Sequence, residues 1–233
     1  MTTTPPIVIL GALEAEIATI SQHMTAVQTR TWHGRVFYEG LLEGKRVVVA
    51  QSGVGKVFAA MVTQHLLDYY TPQYLLFTGV AGALNAGYEV GDVVVARDCV
   101  QHDMDATELG FLRGQVPYTD YRFFTPDARL SALALQTPSA HTLHHGRILT
   151  GDHFMTQKEV ERFDYLRGEL AGDAIEMEGA AVGQVCAVNE VPFLLVRTIS
   201  DKADGSALVN FTEFLPTVAQ NTFAVLQFVL QQL

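Results

Sequence analysis

The stretch Arg46–Gly82, RVVVAQSGVGKVFAAMVTQHLLDYYTPQYLLFTGVAG, decides the fold. Arg46 to Ala50 is a short apolar run rich in valine, and Ser52-Gly53-Val54-Gly55 ends it as a tight loop. Lys56 to Tyr69 then reads as a helix, with Val57, Ala60, Met61 and Leu67 near helical spacing. Tyr74 to Phe77 is a second apolar strand, and it runs into Thr78-Gly79-Val80-Ala81-Gly82. Upstream, Ile7 to Leu10 reads as a first buried strand ending at Gly11, followed by a helix from Glu14. A hairpin is expected between them, Gly34 to Leu41 and Arg46 to Ala50 about a Glu43-Gly44 turn. Downstream come a strand at Asp92–Ala96, long loops over residues 101–127, and Ile148-Leu149 leading into the Gly151-Asp152 turn. A small-residue helix at Gly179–Val188 and an apolar strand at Phe193–Ile199 follow. In the last helix, Leu215, Val218, Ala219, Thr222, Leu226, Val229 and Leu230 share a face. Alternation of this kind with an early hairpin predicts an α/β fold with a central mixed β-sheet flanked by helices. No linker divides the chain, so a single domain over residues 1–233 is expected.

The bulk composition narrows the function. Apolar residues make up 48% of the 233, enough for a sizeable core. The formal net charge of −10 repels phosphate backbones, so nucleic acid is not an expected partner. No apolar run reaches membrane-spanning length. The N-terminal segment lacks a basic region before its short apolar run, and Glu14 and Glu16 follow closely. A cytoplasmic protein is expected. Cys99 and Cys186 sit in apolar runs without a C-x-x-C and read as buried thiols.

In an α/β sheet the loops after the strands gather at one edge, where ligands bind. Five segments of this sequence end strands or lie near their ends: Gly11–Glu16, Ser52–Lys56, Thr78–Gly82, Ile175–Gly179 and Arg197–Asp201. Three of them carry carboxylates. Gly53-Val54-Gly55 only half-resembles a dinucleotide fingerprint, because Phe58 occupies the third glycine position. Ala50 stands where a phosphate-binding P-loop needs its first glycine. Spacing alone leaves the acids open. Glu16 and the Glu176-Met177-Glu178 run could simply complement helix N-termini. Asp201 could cap a helix or pair with Arg197. His102-Asp103-Met104-Asp105 and His144-His145 have no spacing that fixes a metal geometry, so they read as loop polarity.

Taken together and in order, these segments resemble the 5′-methylthioadenosine/S-adenosylhomocysteine nucleosidases of the purine nucleoside phosphorylase-like superfamily. The resemblance runs nearly end to end. It rests on Gly11-Ala12-Leu13-Glu14-Ala15-Glu16, Ser52–Val57, Thr78–Gly82, Thr150-Gly151-Asp152, Glu176-Met177-Glu178, Arg197–Asp201 and Phe211–Leu215. It implies that Glu16 activates water and that Asp201 holds adenine and protonates it at N7, directly or by relay. It implies that Glu178 binds the ribose hydroxyls, Met177 packs on the sugar, Phe154 stacks on the base and Met155 contributes backbone contacts. Ser200 and Arg197 would support the acid and the water. An apolar groove from Leu13, Val54, Leu109, Phe111 and Phe211 would take the 5′ substituent, with Pro117 supplied across a homodimer interface. No metal or cofactor is implied. The sequence departs from some family members at Val80, where they carry serine, and at Leu13 and Leu109, where Met and Phe are common.

The chemistry asks for such a set. Adenine leaves readily only when N7 is protonated, while C1′ takes on oxocarbenium character. One acid is needed by the base and one water-activating base across the sugar, as in inverting glycosidases. The first strand end offers Glu14 and Glu16 and no arginine. A carboxylate ~4 Å from phosphate would cost about 4 kcal/mol per charge pair at an effective dielectric of 20, which favours water over phosphate as nucleophile. The sibling activities on aminodeoxyfutalosine or 5′-deoxyadenosine, a purine nucleoside phosphorylase, and a non-catalytic nucleoside- or dinucleotide-binding protein are the alternatives.

Overall fold

The computed structural model describes residues 4–201 and 207–233, with backbone alone at Gln157 and at 207–218. In chain order the described elements are β1 (Ile7–Gly11), α1 (Glu14–Gln22), β2 (Thr25–Trp32), β3 (Arg35–Leu42), β4 (Lys45–Gln51), α2 (Lys56–Tyr70), β5 (Tyr74–Phe77), β6 (Val80–Ala83) and β7 (Val93–Gln101). There follow α3 (Ala128–Ala134), β8 (Leu143–Thr150), α4 (Gln157–Arg162), β9 (Ala174–Glu176), α5 (Gly179–Val188), β10 (Phe193–Asp201) and α6 (Ala207–Gln232). The expected α/β architecture with a mixed sheet is what forms.

The sheet runs β2-β3-β4-β1-β5-β10-β6-β9-β8-β7. β1 is parallel to β4 and β5, and β5 is parallel to β10, while β2, β3 and β4 form an antiparallel meander. β10 also pairs antiparallel with β7, which brings the far end of the order back onto β10 and curls that half towards a barrel.

Period-two alternation explains the two-sided core. Val8 and Leu10, Val48 and Ala50, and Phe193 and Leu195 face a core completed by Ala59, Val62 and Leu66 of α2 and Ala180 and Val182 of α5. Their neighbours Ile7 and Ile9, Val47 and Val49, and Leu194 and Val196 face the opposite core, with Ile17 and Ile20 of α1, Leu130 of α3 and Leu226 and Val229 of α6. The buried residues of α2 are Ala59, Val62, Thr63, Leu66 and Leu67. The expected face therefore holds at Leu67 and in part at Ala60, which is half-buried against the same core. Val57 and Met61 point outward, 77% and 41% exposed, because α2 is apolar on two sides and the sheet takes just one. On the last helix, Ala219, Thr222, Leu226, Val229 and Leu230 are buried as expected, while Leu215 and Val218 lie outside the described side chains.

Other differences have local causes. β2 has no apolar period because it is an exposed edge strand. β7 continues five residues beyond Ala96, past an irregularity at Arg97, because Arg147 of β8 neutralises Asp98 across the pair at 2.5 Å. His102 is buried at the end of β7, not a surface polar group, and His144 lies in β8 with its Nε2 2.8 Å from Asp92. Cys99 and Cys186 are buried and unpaired with each other. Among the described residues no group of His, Cys, Asp and Glu could hold a metal ion, and no helix is long and apolar enough to cross a membrane.

Candidate active site

The parallel strands deliver their carboxyl ends to one edge, and main-chain bonds stitch the loops there. Ser52 N–H donates to Gly11 O at 2.8 Å, Gly53 N–H to Ala12 O at 3.1 Å, Thr78 N–H to Leu10 O at 2.9 Å and Thr198 N–H to Gly79 O at 3.0 Å. A cavity of about 240 Å³ opens between these loops. It is lined by Glu16, Glu178 and Asp201, the three acids singled out in the sequence, and by Leu13, Val54, Val80, Phe154, Met155, Met177 and Ser200. His153, Ala81, Gly82, Ile175 and Glu176 complete much of the remaining wall.

Glu16 sits at the first turn of α1 and is 4% exposed. Its carboxylate accepts N–H bonds from Ala12 at 2.7 Å, Leu13 at 2.9 Å and Val80 at 3.3 Å. It therefore does satisfy the start of its helix, and it faces the cavity as well. Burial raises its pKa above the ordinary carboxylate value, against the lowering influence of Arg197 and of the three backbone donors. Gly79 makes this crowding possible: a Cβ there would lie 3.0 Å from Glu16 Oε1 and 3.2 Å from Arg197 Nη1.

Glu178 stands between β9 and α5, and its Oε1 accepts the Gly55 N–H at 2.7 Å. Gly55 adopts φ +90°, a conformation suited to glycine, so the second glycine of the 53–55 loop serves to aim an N–H at this acid. Burial and the neighbouring Glu176 push Glu178 up to about 8, with Gly55 N–H and Arg197 opposing the rise. Asp201 ends β10, is 4% exposed, and receives the Ser200 hydroxyl on Oδ2 at 2.9 Å.

Arg197 does not line the cavity and does not pair with Asp201 among the contacts described. It is 1% exposed, lies 4.1 Å over the Phe77 ring, and donates from Nη2 to Glu176 Oε2 at 2.7 Å. Glu176 is the site residue whose contacts the sequence concealed. Besides Arg197 it accepts the Glu178 N–H at 3.1 Å, the Gly179 N–H at 2.7 Å and a short bond from the Thr150 hydroxyl. Its place beside Glu178 in sequence was visible; its partner 21 residues away was not. His153 was likewise not singled out. It lines the mouth with its ring bonded to Glu159 of α4 at 2.6 Å.

The apolar set divides. Leu13 and Val54 line the cavity, but Leu109, Phe111 and Pro117 do not line it in the single chain. Leu109 is 70% exposed, and Phe111 packs edge-on against Tyr118. Phe211 lies outside the described side chains. Among the described residues lining the cavity there is no lysine or arginine.

The fold and this acid-walled cavity define a class, and a family model described as the phosphorylase superfamily matches residues 6–231. A curated relative from Marinomonas sp. (strain MWYL1), named 5′-methylthioadenosine/S-adenosylhomocysteine nucleosidase, is 39% identical over 94% of this chain and 95% of its own. The crystal structure of the nucleosidase of that name from Neisseria meningitidis, in complex with methylthio-immucillin-A, superposes with a TM-score of 0.92 at 34% identity, covering 98% of this chain and 100% of that one. The native structure of futalosine hydrolase from Helicobacter pylori strain 26695 also has a TM-score of 0.92, at 34% identity and 99% coverage of each chain. Within the superfamily, the chain belongs to the 5′-methylthioadenosine/S-adenosylhomocysteine nucleosidase family.

Proposed function

We propose that this protein hydrolyses the N-glycosidic bond of 5′-methylthioadenosine and S-adenosylhomocysteine, releasing adenine and the corresponding ribose derivative. The observation that carries the reading is the meeting of Glu16, Glu178 and Asp201 on one cavity with a partly exposed aromatic ring, Phe154, at its wall.

The residues divide the work as follows. Phe154 stacks on adenine, and the Met155 backbone contacts its edge. Asp201, oriented by Ser200, holds the base and delivers or relays the proton that lets N7 carry adenine away neutral. Glu178 grips the ribose hydroxyls, and Met177 packs beneath the sugar. Glu16 takes the proton of the attacking water. Its raised pKa makes it a stronger base than an exposed carboxylate, and its three N–H bonds hold it still. General acid and general base are each worth about 10²–10⁴-fold, or roughly 3–5 kcal/mol. The carboxylates also favour the positive charge that develops at C1′.

Water rather than phosphate suits this wall. A dianion would face several carboxylates, and the nearby guanidinium of Arg197 is already committed to Glu176. The 5′ substituent lies along Leu13 and Val54, with the loop bearing Leu109, Phe111 and Pro117 completing the groove in a homodimer. The outward apolar residues Val57, Phe58 and Met61 on α2 support such a dimer. The unpaired cysteines fit the reducing cytoplasm.

The test is adenine release from a panel of 5′-substituted adenosines, with Asp201→Asn beside the wild type. The methylthio and homocysteinyl substrates should turn over best, and Asp201→Asn should lose nearly all turnover because it keeps a polar contact but not the acid. Preference for a futalosine-type substrate, supported by the similarity to the Helicobacter pylori hydrolase, would replace the substrate while leaving the acid and base in place. Wild-type release by Asp201→Asn would remove Asp201 from the mechanism.

A further inference from the structure

A closed ring of polar contacts joins the loop after β4 to the loop after β8 behind the cavity wall. The Asp152 carboxylate accepts the Lys56 backbone N–H at 2.8 Å. The Asp152 N–H donates to Asp103 Oδ2 at 3.0 Å, and Lys56 Nζ donates to Asp103 Oδ1 at 2.6 Å. None of the three residues lines the cavity. The ring has a local cause. α2 begins at Lys56 behind Gly55, which has no side chain to cap the helix. Asp152 supplies the missing acceptor from 96 positions further along the chain.

Each side of the ring runs straight into the site. On one side Val54, two residues before Lys56, lines the cavity, and on the other His153, Phe154 and Met155 line it. Asp152 also lies close to Gly55 itself, since a Cβ added there would stand 3.1 Å from Asp152 Oδ1. The Gly55 N–H, one residue from the ring, is the donor that holds Glu178 Oε1 at 2.7 Å. That bond pins one carboxylate oxygen and leaves the other to meet a ligand.

We propose that Asp152, backed by Lys56 and Asp103, is a positioning residue that fixes the Gly55 N–H, orients Glu178 through it, and so sets how strongly substrates bearing both ribose hydroxyls are selected. This rests on the reading of Glu178 as the hydroxyl-binding acid. Loss of the ring lets the 54–55 segment drift. Glu178 then loses the donor that both aims it and favours its ionised form, and the ionised form is the better acceptor for two hydroxyls.

The experiment compares kcat/KM for 5′-methylthioadenosine with that for its 2′,3′-dideoxy counterpart, and follows their ratio across variants. Glu178→Ala should collapse the ratio. Asp152→Ala should lower it about tenfold, with KM for the full ribose substrate rising more than kcat falls. Asp152→Asn, whose amide oxygen still accepts the Lys56 N–H, should stay within about twofold of wild type. An unchanged ratio in Asp152→Ala while Glu178→Ala collapses it overturns the positioning role alone. An unchanged ratio in Glu178→Ala overturns the reading of Glu178 and this inference with it. If Asp152→Ala does not fold, Lys56→Met opens the same ring more gently. It should lower the ratio about threefold, and a wild-type ratio there refutes the proposal.

Discussion

Replacing Arg197 by methionine should both destabilise the protein and move its pH profile. Arg197 and Glu176 are 1% and 7% exposed, so neither charge is shared with bulk water. Their 2.7 Å contact corresponds to about 6 kcal/mol at an effective dielectric of 20. Part of that is retained without Arg197, because Glu176 keeps the Thr150 hydroxyl and the Glu178 and Gly179 N–H groups. The remaining cost should fall near 4 kcal/mol, within the range for orphaning one partner of a buried pair. For a chain of this length that is a fall in Tm of roughly 10 °C. Removing both charges, as Arg197→Met with Glu176→Gln, should recover about half of the loss, since a neutral pair leaves no orphan. The catalytic signature is separate. Arg197 lowers the pKa of both Glu16 and Glu178, so its removal makes them harder to ionise. The base works deprotonated, and the acid limb of kcat/KM should therefore shift to higher pH. Calorimetry and a pH–rate profile measure the two effects. A Tm within about 2 °C of wild type, or a double variant less stable than the single one, refutes the reasoning.

Further outcomes follow from the same geometry. Glu16→Gln should abolish turnover while raising Tm at pH 7–8, because burial disfavours the ionised form in the folded state. That penalty is present above the unfolded carboxylate pKa, so the gain should vanish on acidification towards pH ~4, as thermal melts across pH would show. Phe154→Ala should raise KM for adenosine substrates by roughly 5–100-fold with little change in Tm, since the ring is 43% exposed and base stacking is worth about 1–3 kcal/mol. If α2 forms the proposed homodimer interface, Val57→Asp should leave the α/β fold intact and shift sedimentation from dimer to monomer, because the residue faces outward from α2 and does not contribute to the core; sedimentation identical to wild type refutes that interface.

Much of this was readable from residue order. Strands that bury both faces announce themselves as continuous apolar runs, and β1, β4, β5 and most of β10 did so. The five loop segments with their acids and glycines marked the edge where the cavity forms. What escaped was set by tertiary contacts. β6 and β9 are four and three residues long, too short for a period, and are strands because longer neighbours pair with them. The burial of α2 could not be chosen from a helix that is apolar on two sides. Arg197 resembled a partner for Asp201 in sequence, but β9 brings Glu176 beneath it. His102 looked like loop polarity until the turn after β8 covered it: a Cβ on Gly151 would touch its ring. Of the expected apolar groove, Leu13 and Val54 line the cavity and Leu109, Phe111 and Pro117 do not, a division that residue type alone does not reveal.

The most direct test of water attack under Glu16 is adenine release from 5′-methylthioadenosine in phosphate-free buffer. Full turnover without phosphate, lost in Glu16→Gln while that variant still binds substrate, is the expected result. Turnover that appears only when phosphate is added, or a Glu16→Gln protein that releases adenine at the wild-type rate, contradicts it.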